Sequence, residues 1–513
     1  MTAPGHELET IAADGRINVV SPLDGRVLER IPMTPPEDVP ALFERARQAQ
    51  RQWQKRSVAA RARALKPLAR GIADAADELV ELLREEIGRH PAESWFAEIV
   101  PNIDLIHWWV RQGRKHLEPQ RVKLNPINFP GKKAWIELVP RGVLGLITPW
   151  NYPVSIPLRA LIPALLAGNA VVWKPSEYAA LVSKRLDALF SEFLDPDLVV
   201  LAQGAGPTGA AVVEHCDGIG FTGSYAVGQQ IAVRAAERLI PSSLELGGKD
   251  FAVVCPDANL PRAAAGIAWA GLTNAGQNCA SIEVVCVHES VAAEFTSLLR
   301  DEVQKMAPFV GPMINARQKQ KVAAQLDDAI RSGGLVLIGG EGDADGLRID
   351  PAVIEHPDWN SALMCEETFG PVLPVVTWRD LAEVSEQLAR SAYGLTLSVW
   401  SADVDSAVAW ARQQPAGVLT VNNHSFTAGI AEMPWTGVRQ SGLGVTNSVY
   451  ALEWMTRPRG VLIDRNKQRE PWWHPYNDAA VTMARGISDL NTGRRPFWRA
   501  LPDLLKGFLT RWK

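Results

Sequence analysis

The apolar positions along the chain change their period several times, and each change predicts a different kind of element. Residues 16–32, "RINVVSPLDGRVLERIP", place apolar side chains on both sides of Asp24-Gly25, the pattern of a hairpin with its turn at that dipeptide. Two stretches of helical spacing follow, "EDVPALFERARQAQRQWQKRS" and "AARARALKPLARGIADAADELVELLREEIGR", each predicting an amphipathic helix. From "VPRGVLGLITPWNYP" onward, short β-branched runs alternate with helical ones: "GVLGLIT", "LRALIPALLAG", "AVVWK", "VSKRLDALFSEFL", "LVVLAQG", "GIGFTGS". Such alternation predicts a parallel, doubly wound α/β sheet. A second α/β region runs from "SLELGGKDFAVVC" to "TVNNHSF", with "VVCVHE" and "LVLIGG" as strands and the glycine turn in "LELGGKD" as the boundary. The stretch "GVLIDRNKQREPWWHPYNDAA" is polar and Trp-rich. The last residues, "PFWRALPDLLKGFLTRWK", return to helical spacing, with Phe497, Leu501, Leu504, Leu505, Phe508, Leu509 and Trp512 apolar and Arg499, Lys506 and Arg511 interspersed.

Composition narrows the class. A chain of 513 residues predicts two or three domains, and 47% apolar with 21% charged residues is the balance of an ordinary folded protein. A net charge of -4 gives no global basic field, so nucleic acid is not expected as a partner. "MTAPGHELETIAADGR" has no apolar secretory core, and "ALIPALLAGNAVVW", bounded by Arg159 and Lys174, is too short for a membrane span. The expected location is the cytoplasm, with membrane association only through the C-terminal segment. Five cysteines are an odd number without a C-x-x-C pair, which disfavours disulfide scaffolds and structural zinc; no metal is expected.

Several residues are candidates for chemistry. In "GAGPTG", Gly204, Gly206 and Gly209 match a G-x-G-x-x-G pattern after a strand-like run, a weak signal because glycine is common and Pro207 starts helices. "GFTGSYAVG" places Gly223 and Ser224 between a strand end and a helix, where backbone N–H groups and a hydroxyl can hold a phosphate. Glu245, between apolar residues and two glycines, reads either as a base with a raised pKa or as an acid exposed at a domain junction. Cys279, in "NAGQNCASIE", has no cationic neighbour that would lower its thiol pKa, and reads as a nucleophile or as a core cysteine. Gly276 before it is expected to let backbone approach a ligand closely. Cys216, Cys255, Cys286 and Cys365 read as core.

Taken together, "ITPWNYP", "GNAVVWKPSE", "FTGS", "LELGGKD", "GQNC", "EETFGP" and "PWTGVRQSGLG" occur in an order and spacing that resembles the aldehyde dehydrogenase superfamily, over roughly residues 15 to 465. The resemblance implies an aldehyde dehydrogenase-like α/β fold. A Rossmann-type cofactor domain would take residues 1–120 and 142–245 and an α/β catalytic domain 246–438. A β oligomerisation arm would take 121–141 and 439–465, followed by an extension at 466–513. It implies Cys279 as the nucleophile that forms a thiohemiacetal, and Asn151 with the Cys279 backbone N–H as the oxyanion site. Hydride then leaves for the nicotinamide, and Glu245 activates the water that hydrolyses the thioester. For an NAD cofactor it assigns Lys174 and Glu177 to the adenosine ribose, Ser224 to the pyrophosphate, and Glu367 and Phe369 to the nicotinamide riboside. Thr148, Trp150, Gly204, Phe221, Gly223 and Leu246 complete the cofactor set. A carboxylate at Glu177 repels a 2′-phosphate, which favours NAD over NADP. The "GAGPTG" loop would lie near the adenine rather than under the pyrophosphate. Strands added at a sheet edge imply a homodimer or homotetramer.

Three positions depart from the family pattern: Val284 where arginine is usual, Asp250 where asparagine or serine is commoner and little effect is expected, and the tail beyond about Ile463. Arg159 stands where succinate-semialdehyde dehydrogenases meet a substrate carboxylate, but their second pocket arginine is Thr273 here. The favoured substrate is a medium- or long-chain or otherwise apolar aldehyde. Alternatives are a succinate-semialdehyde-type enzyme, a CoA-acylating enzyme, which generally lacks the base that Glu245 provides, and a non-catalytic scaffold. The C-terminal segment has three readings: resting on a membrane surface, capping a substrate tunnel, or packing on the body.

Overall fold

The computed structural model describes the chain except residues 1–9, 13, 127, 425, 468, 471, 475, 512 and 513, so Trp512 and the start of the N-terminal stretch lie outside the described residues. The strands Arg16–Val20 and Val27–Pro32 form the antiparallel hairpin expected, with Gly25 at φ 75° in its turn. The first helical stretch forms Val39–Trp53. The second is not one helix but three, Val58–Leu65, Leu68–Asp74 and Ala76–Ile87. Pro67 lacks the N–H that a continuous helix needs and ends the first segment.

Two sheets carry the larger compact unit, Met1–His116 with Pro140–Arg457. In the first sheet the order is Gly442–Leu443, Ser242–Glu245, Ile219–Thr222, Val143–Thr148, Ala170–Pro175, Val199–Leu201, all parallel except the antiparallel Gly442–Leu443. The helices Ser155–Ala167, Ala180–Phe193, Gly206–His215 and Tyr225–Glu237 make the crossovers. The strands Val143–Thr148 and Ala170–Pro175 are almost wholly buried, which is why they read as continuous apolar runs. Strand order reverses between Val143–Thr148 and Ile219–Thr222, and a doubly wound sheet opens its ligand crevice at the carboxyl ends of such a pair.

The second sheet has the order Leu335–Ile338, Ala352–Glu355, Val372–Trp378, Ile282–His288, Asp250–Val254, Thr396–Trp400, Val418–Val421, with only the first pair antiparallel. Val284 lies on its central strand and is fully buried against a core of Phe251, Val253, Cys286, Met364 and Val376. That surrounding accounts for an apolar side chain at this position, since a charge there would be buried without a partner. Residues 439–457, read from the sequence as part of the arm, lie in the larger unit: Gly442 pairs with Glu245, and Trp454 and Met455 are buried.

The smaller unit comprises Leu117–Val139 and Pro458–Lys513. A three-stranded sheet of order Thr456–Asp464, Lys132–Pro140, Gln120–Val122 runs through it. It also holds two helices, the expected Phe497–Thr510 and a second, Asp478–Thr492, that the polar sequence did not announce.

Candidate active site

At the reversal point of the first sheet a cavity of about 620 Å³ opens. Its walls come from both strand ends, with Trp150 and Asn151 after one and Gly223 and Ser224 after the other, and from Leu246, Cys279, Glu367 and Phe369. Ser224 caps the helix Tyr225–Glu237 in extended geometry, yet its hydroxyl makes no capping bond. The hydroxyl and the first-turn N–H groups are therefore available to a phosphate. Glu367 is seated on Gly247-Gly248: the Gly248 N–H donates to its Oε1 at 3.2 Å, and a Cβ on Gly247 would stand 2.3 Å from that oxygen. Burial, with Glu283 nearby, raises the Glu367 pKa to about 7. Trp150 and Phe369 meet edge to face, ring centroids 5.8 Å apart. A helix N-terminus, an unused hydroxyl, a carboxylate and an aromatic wall fit the pyrophosphate, ribose and ring of a dinucleotide.

Cys279 borders this cavity and also a second one, of about 630 Å³. The second is lined largely by apolar groups, among them Phe96, Val100, Ile156, Trp269, Ile430 and Trp435, with Glu245 and Arg159 deeper in its wall. The nucleophile candidate thus stands where two chambers meet. Leading up to it, Asn274, Ala275 and Gly276 all take left-handed φ values of 54°, 56° and 69°. Such a run in two non-glycine residues is strained and persists only where its surroundings fix it. Here the Asn274 side chain donates to the carbonyls of Asn151 and Gln277 at 3.3 and 3.2 Å. Gly276 is required for another reason than the one expected. A Cβ there would lie 2.1 Å from the Gly370 carbonyl oxygen, so the close approach is to backbone rather than to a ligand.

The Asn151 amide donates to the Gln277 carbonyl at 3.1 Å, which fixes its plane and leaves its second N–H for another acceptor. The Cys279 backbone N–H donates to no acceptor among the described residues. Asn151 is in turn held by Arg89, a residue that no motif along the chain singles out. Its guanidinium donates to the Asn151 carbonyl, to Asn274 Oδ1 at 3.2 Å and to Glu98 Oε1 at 2.7 Å, and it stacks over Tyr152. The other Glu98 oxygen accepts the Ser155 and Val154 N–H groups at 2.6 and 3.2 Å, at the start of the helix that follows Asn151. Both charges are wholly buried, and removing either would strand the other at a cost of about 3–5 kcal/mol.

Glu245 ends the strand Ser242–Glu245 and is 6% exposed, so the reading of an exposed junction acid is set aside. Burial raises its pKa, against hydrogen bonds from Cys279, Trp435 and Thr222 and the charge of Arg159, all of which lower it. The Trp435 indole N–H reaches Glu245 Oε1 at 3.2 Å. Trp435 lies inside the quoted "PWTGVRQSGLG", yet no periodicity marks it as a partner of residue 245. The Cys279 thiol is pushed well above its ordinary pKa, first by burial and then by the neighbouring carboxylate, with Arg159 opposing. At neutral pH it is held as a thiol beside the Glu245 carboxyl group.

Not every sequence candidate enters these cavities. Lys174 and Glu177 pair at 3.4 Å at the end of the adjacent strand of the same sheet. Thr148 Oγ1 accepts the Trp173 indole N–H at 2.9 Å, the Phe221 ring covers Gly223, and Gly204 packs on Thr208. Of the "GAGPTG" glycines, a Cβ on Gly206 would meet nothing within 4 Å, so that position has no steric need for glycine. Cys365 is exposed, which corrects its core reading; it ends a single-turn helix, Ala362–Cys365, too short to bury it. Asp250 is buried and accepts the Thr396 N–H at 2.9 Å and hydroxyl at 2.5 Å. Thr273 caps its own helix through the Trp269 carbonyl at 2.5 Å and offers no cation.

The aldehyde dehydrogenase family model matches residues 10–461. A 4,4'-diapolycopene aldehyde oxidase from Methylomonas sp is 35% identical over 486 residues, covering 93% of this chain and 91% of its own. A Mycolicibacterium smegmatis protein provisionally named as an NADP(+) succinate-semialdehyde dehydrogenase is 35% identical over 463 residues, covering 87% and 88%. Among solved structures, a Mycobacterium tuberculosis aldehyde dehydrogenase complexed with NAD+ superposes with a TM-score of 0.83 at 27% identity, over 89% of this chain and 96% of that one. Betaine aldehyde dehydrogenase from Staphylococcus aureus, in complex with NAD+, gives 0.84 at 27% identity, over 90% and 94%. With the family's residues matched almost end to end and its fold reproduced around Cys279, the chain belongs to the aldehyde dehydrogenase family, the NAD(P)-dependent oxidoreductases that act on aldehydes.

Proposed function

We propose that the protein oxidises a medium- or long-chain, or otherwise apolar, aldehyde to its carboxylic acid with NAD, through a thioester on Cys279. The observation that carries this reading is the position of Cys279 between the dinucleotide-shaped cavity and a chamber whose mouth is apolar and partly exposed at Phe96, Val100 and Trp269. The acids of that chamber, Glu93 and Asp104, disfavour an anionic substrate.

In the proposed sequence the Cys279 sulfur bonds to the aldehyde carbon as its proton passes to Glu245. The second N–H of the Asn151 amide and the backbone N–H of Cys279 take the developing oxyanion. Bound NAD supplies the hydride acceptor, with Ser224 and the following helix start at its pyrophosphate, Glu367 at the nearer ribose, and Lys174 with Glu177 at the farther one. Once Glu245 has released its proton to solvent, it takes another from the water that attacks the thioester. The acid leaves and the thiol is restored.

One observation favours a second reading. Arg159 lines the chamber near Glu245 and pairs with no acid among the described residues, so a short semialdehyde carboxylate would meet a cation there. Turnover of propanal, decanal and succinate semialdehyde separates the two. Decanal is expected to have the highest kcat/KM, by roughly 10- to 100-fold over propanal, since each buried methylene adds up to about 0.8 kcal/mol. A preference for succinate semialdehyde would establish the second reading instead.

A prediction concerns Trp435. Replacing it with phenylalanine keeps an aromatic wall but removes the indole N–H that stabilises the Glu245 carboxylate. The ascending limb of the kcat–pH profile, where Glu245 must be ionised, is expected to move to higher pH. An unmoved limb with an altered KM would reduce Trp435 to a wall of the chamber. For assembly we propose a homodimer or homotetramer formed by strand addition at the edge Thr456–Asp464.

A further inference from the structure

The smaller unit differs in charge from the rest of the chain. Leu117–Val139 and Pro458–Lys513 contain fifteen lysines and arginines against seven acids, a net +8, within a chain of net -4, so the remainder carries -12. Its acids are largely neutralised from within. Asp464 and Glu470 hold Lys132, Glu137 holds Arg459, and Asp489 and Asp503 hold Arg495. Arg485, Arg494, Arg499 and Lys506, on and between the two C-terminal helices, pair with no acid among the described residues.

On the same helices Val481, Phe497, Trp498, Leu505, Phe508 and Leu509 are exposed, while Met483 is buried. The pair packs through its smallest residues: a Cβ on Gly486 would lie 2.9 Å from the Leu504 backbone nitrogen, and one on Gly507 would lie 2.7 Å from Met483 Cβ. Only Ala500 and Gly507 are buried on the last helix, while Trp498 and Leu509 are each 72% exposed, with Phe497, Leu505 and Phe508 beside them. Such packing leaves the bulky side chains for another medium. A second group, Trp472, Trp473 and Tyr476, is exposed in the preceding turn. That turn is anchored by Lys132 over the Trp472 ring at 5.1 Å and by Arg511, which donates to the Trp473 carbonyl. Exposed aromatics interleaved with unpaired cations are the composition of a helix that lies in a lipid interface. The two helices, of 15 and 14 residues, are about 20 Å long, short of a hydrocarbon core of about 30 Å, and no described helix is long and apolar enough to cross a membrane.

We propose that this unit docks the protein on the surface of an anionic lipid bilayer, with Trp498, Leu505, Phe508 and Leu509 in the boundary between headgroups and acyl chains and the unpaired cations among the phosphates. Both terms of the attraction are then on one surface, the apolar side chains entering the lipid and the net positive charge meeting acidic headgroups. A second copy of the same face is a poorer occupant, because two units of +8 repel. Part of the tail is also shared with a relative. The Methylomonas sp aldehyde oxidase matches 93% of this chain, leaving about 7% unmatched, which is fewer residues than follow the end of the family match at 461. A surface-bound enzyme would meet apolar aldehydes where they partition.

The test is co-sedimentation of the full-length protein with phosphatidylcholine vesicles and with mixed phosphatidylcholine–phosphatidylglycerol vesicles, at low and high salt. Binding to the mixed vesicles, several-fold weaker to pure phosphatidylcholine and reduced by salt, is the expected result. The double variant Trp498→Ser, Leu509→Ser is expected to bind the mixed vesicles roughly tenfold more weakly while turning over soluble propanal at the wild-type rate. Absence of vesicle binding overturns the proposal. So does equal binding by the double variant, or a shift on duplex DNA that matches the vesicle affinity and survives the substitutions, since charge alone would then be responsible. A change of oligomeric state in the double variant, read by light scattering, would assign the face to a second copy.

Discussion

Replacing Cys279 with alanine is expected to abolish aldehyde oxidation, lowering kcat/KM on the order of 10⁴-fold or more, while NAD binding followed by fluorescence quenching stays within a few-fold of wild type. The expectation rests on geometry. Cys279 is the cysteine that borders both cavities, whereas Cys216 and Cys286 are buried in cores and Cys255 and Cys365 line neither chamber. The dinucleotide-shaped cavity is built mainly from Trp150, Gly223, Ser224, Glu367 and Phe369, which the substitution leaves in place. The thiol is also predicted to alkylate slowly in the free protein at neutral pH, with the rate rising toward alkaline pH, because burial and Glu245 both hold it protonated. Near-wild-type turnover by the alanine variant would remove Cys279 from the chemistry and the covalent mechanism with it.

The second large effect is expected from Glu245→Gln. Glutamine keeps the size and a hydrogen-bond acceptor for Trp435 but cannot take a proton from water. NADH should appear in a burst of up to about one equivalent per active site, slower than in wild type because the group that takes the Cys279 proton is lost as well, followed by a steady rate lower by about 10²–10⁴, as the thioester accumulates. Mass spectrometry of the quenched protein reads the acyl adduct directly. The pH dependence follows from the direction of the shift. Burial raises the Glu245 pKa, so wild-type deacylation rises with pH through a value above the usual carboxylate range, and this limb disappears in the glutamine variant. Rescue of the variant by CoA, together with a wild type that forms no acid without CoA, would move the protein to the acylating branch. A variant without burst and with an unchanged steady rate would show that residue 245 is not the deacylating base.

Some of the site was legible along the chain and some was not, and the division follows distance in sequence. The strand-turn-helix signal of "FTGSYAVG" is local, and Ser224 stands at a helix start as expected. Residue by residue, Glu245 and Cys279 each read as ordinary; the ordered motifs around them carried the assignment. Arg89 could not be found this way. It lies on a helical stretch whose periodicity marks only an amphipathic face, and its partners Glu98, Asn151 and Asn274 meet it only when three separate segments converge. Asp250 was expected to matter little, yet its buried carboxylate ties the start of one strand to Thr396 on the next. The same limit applies to Val284, whose apolar surroundings come from strands far away in sequence.

By itself the sequence determined the family, the alternation of strands and helices, and the residue types that carry the chemistry, because each is written in short-range pattern and motif. Tertiary structure decided the rest: that the second helical stretch is three helices, that Cys279 sits at the junction of an apolar and a dinucleotide-shaped chamber, and that burial raises the Glu245 pKa against hydrogen bonds from Cys279 and Trp435 and the charge of Arg159. Burial and through-space charge are properties of what the fold brings together. A pattern of neighbours along the chain does not contain them.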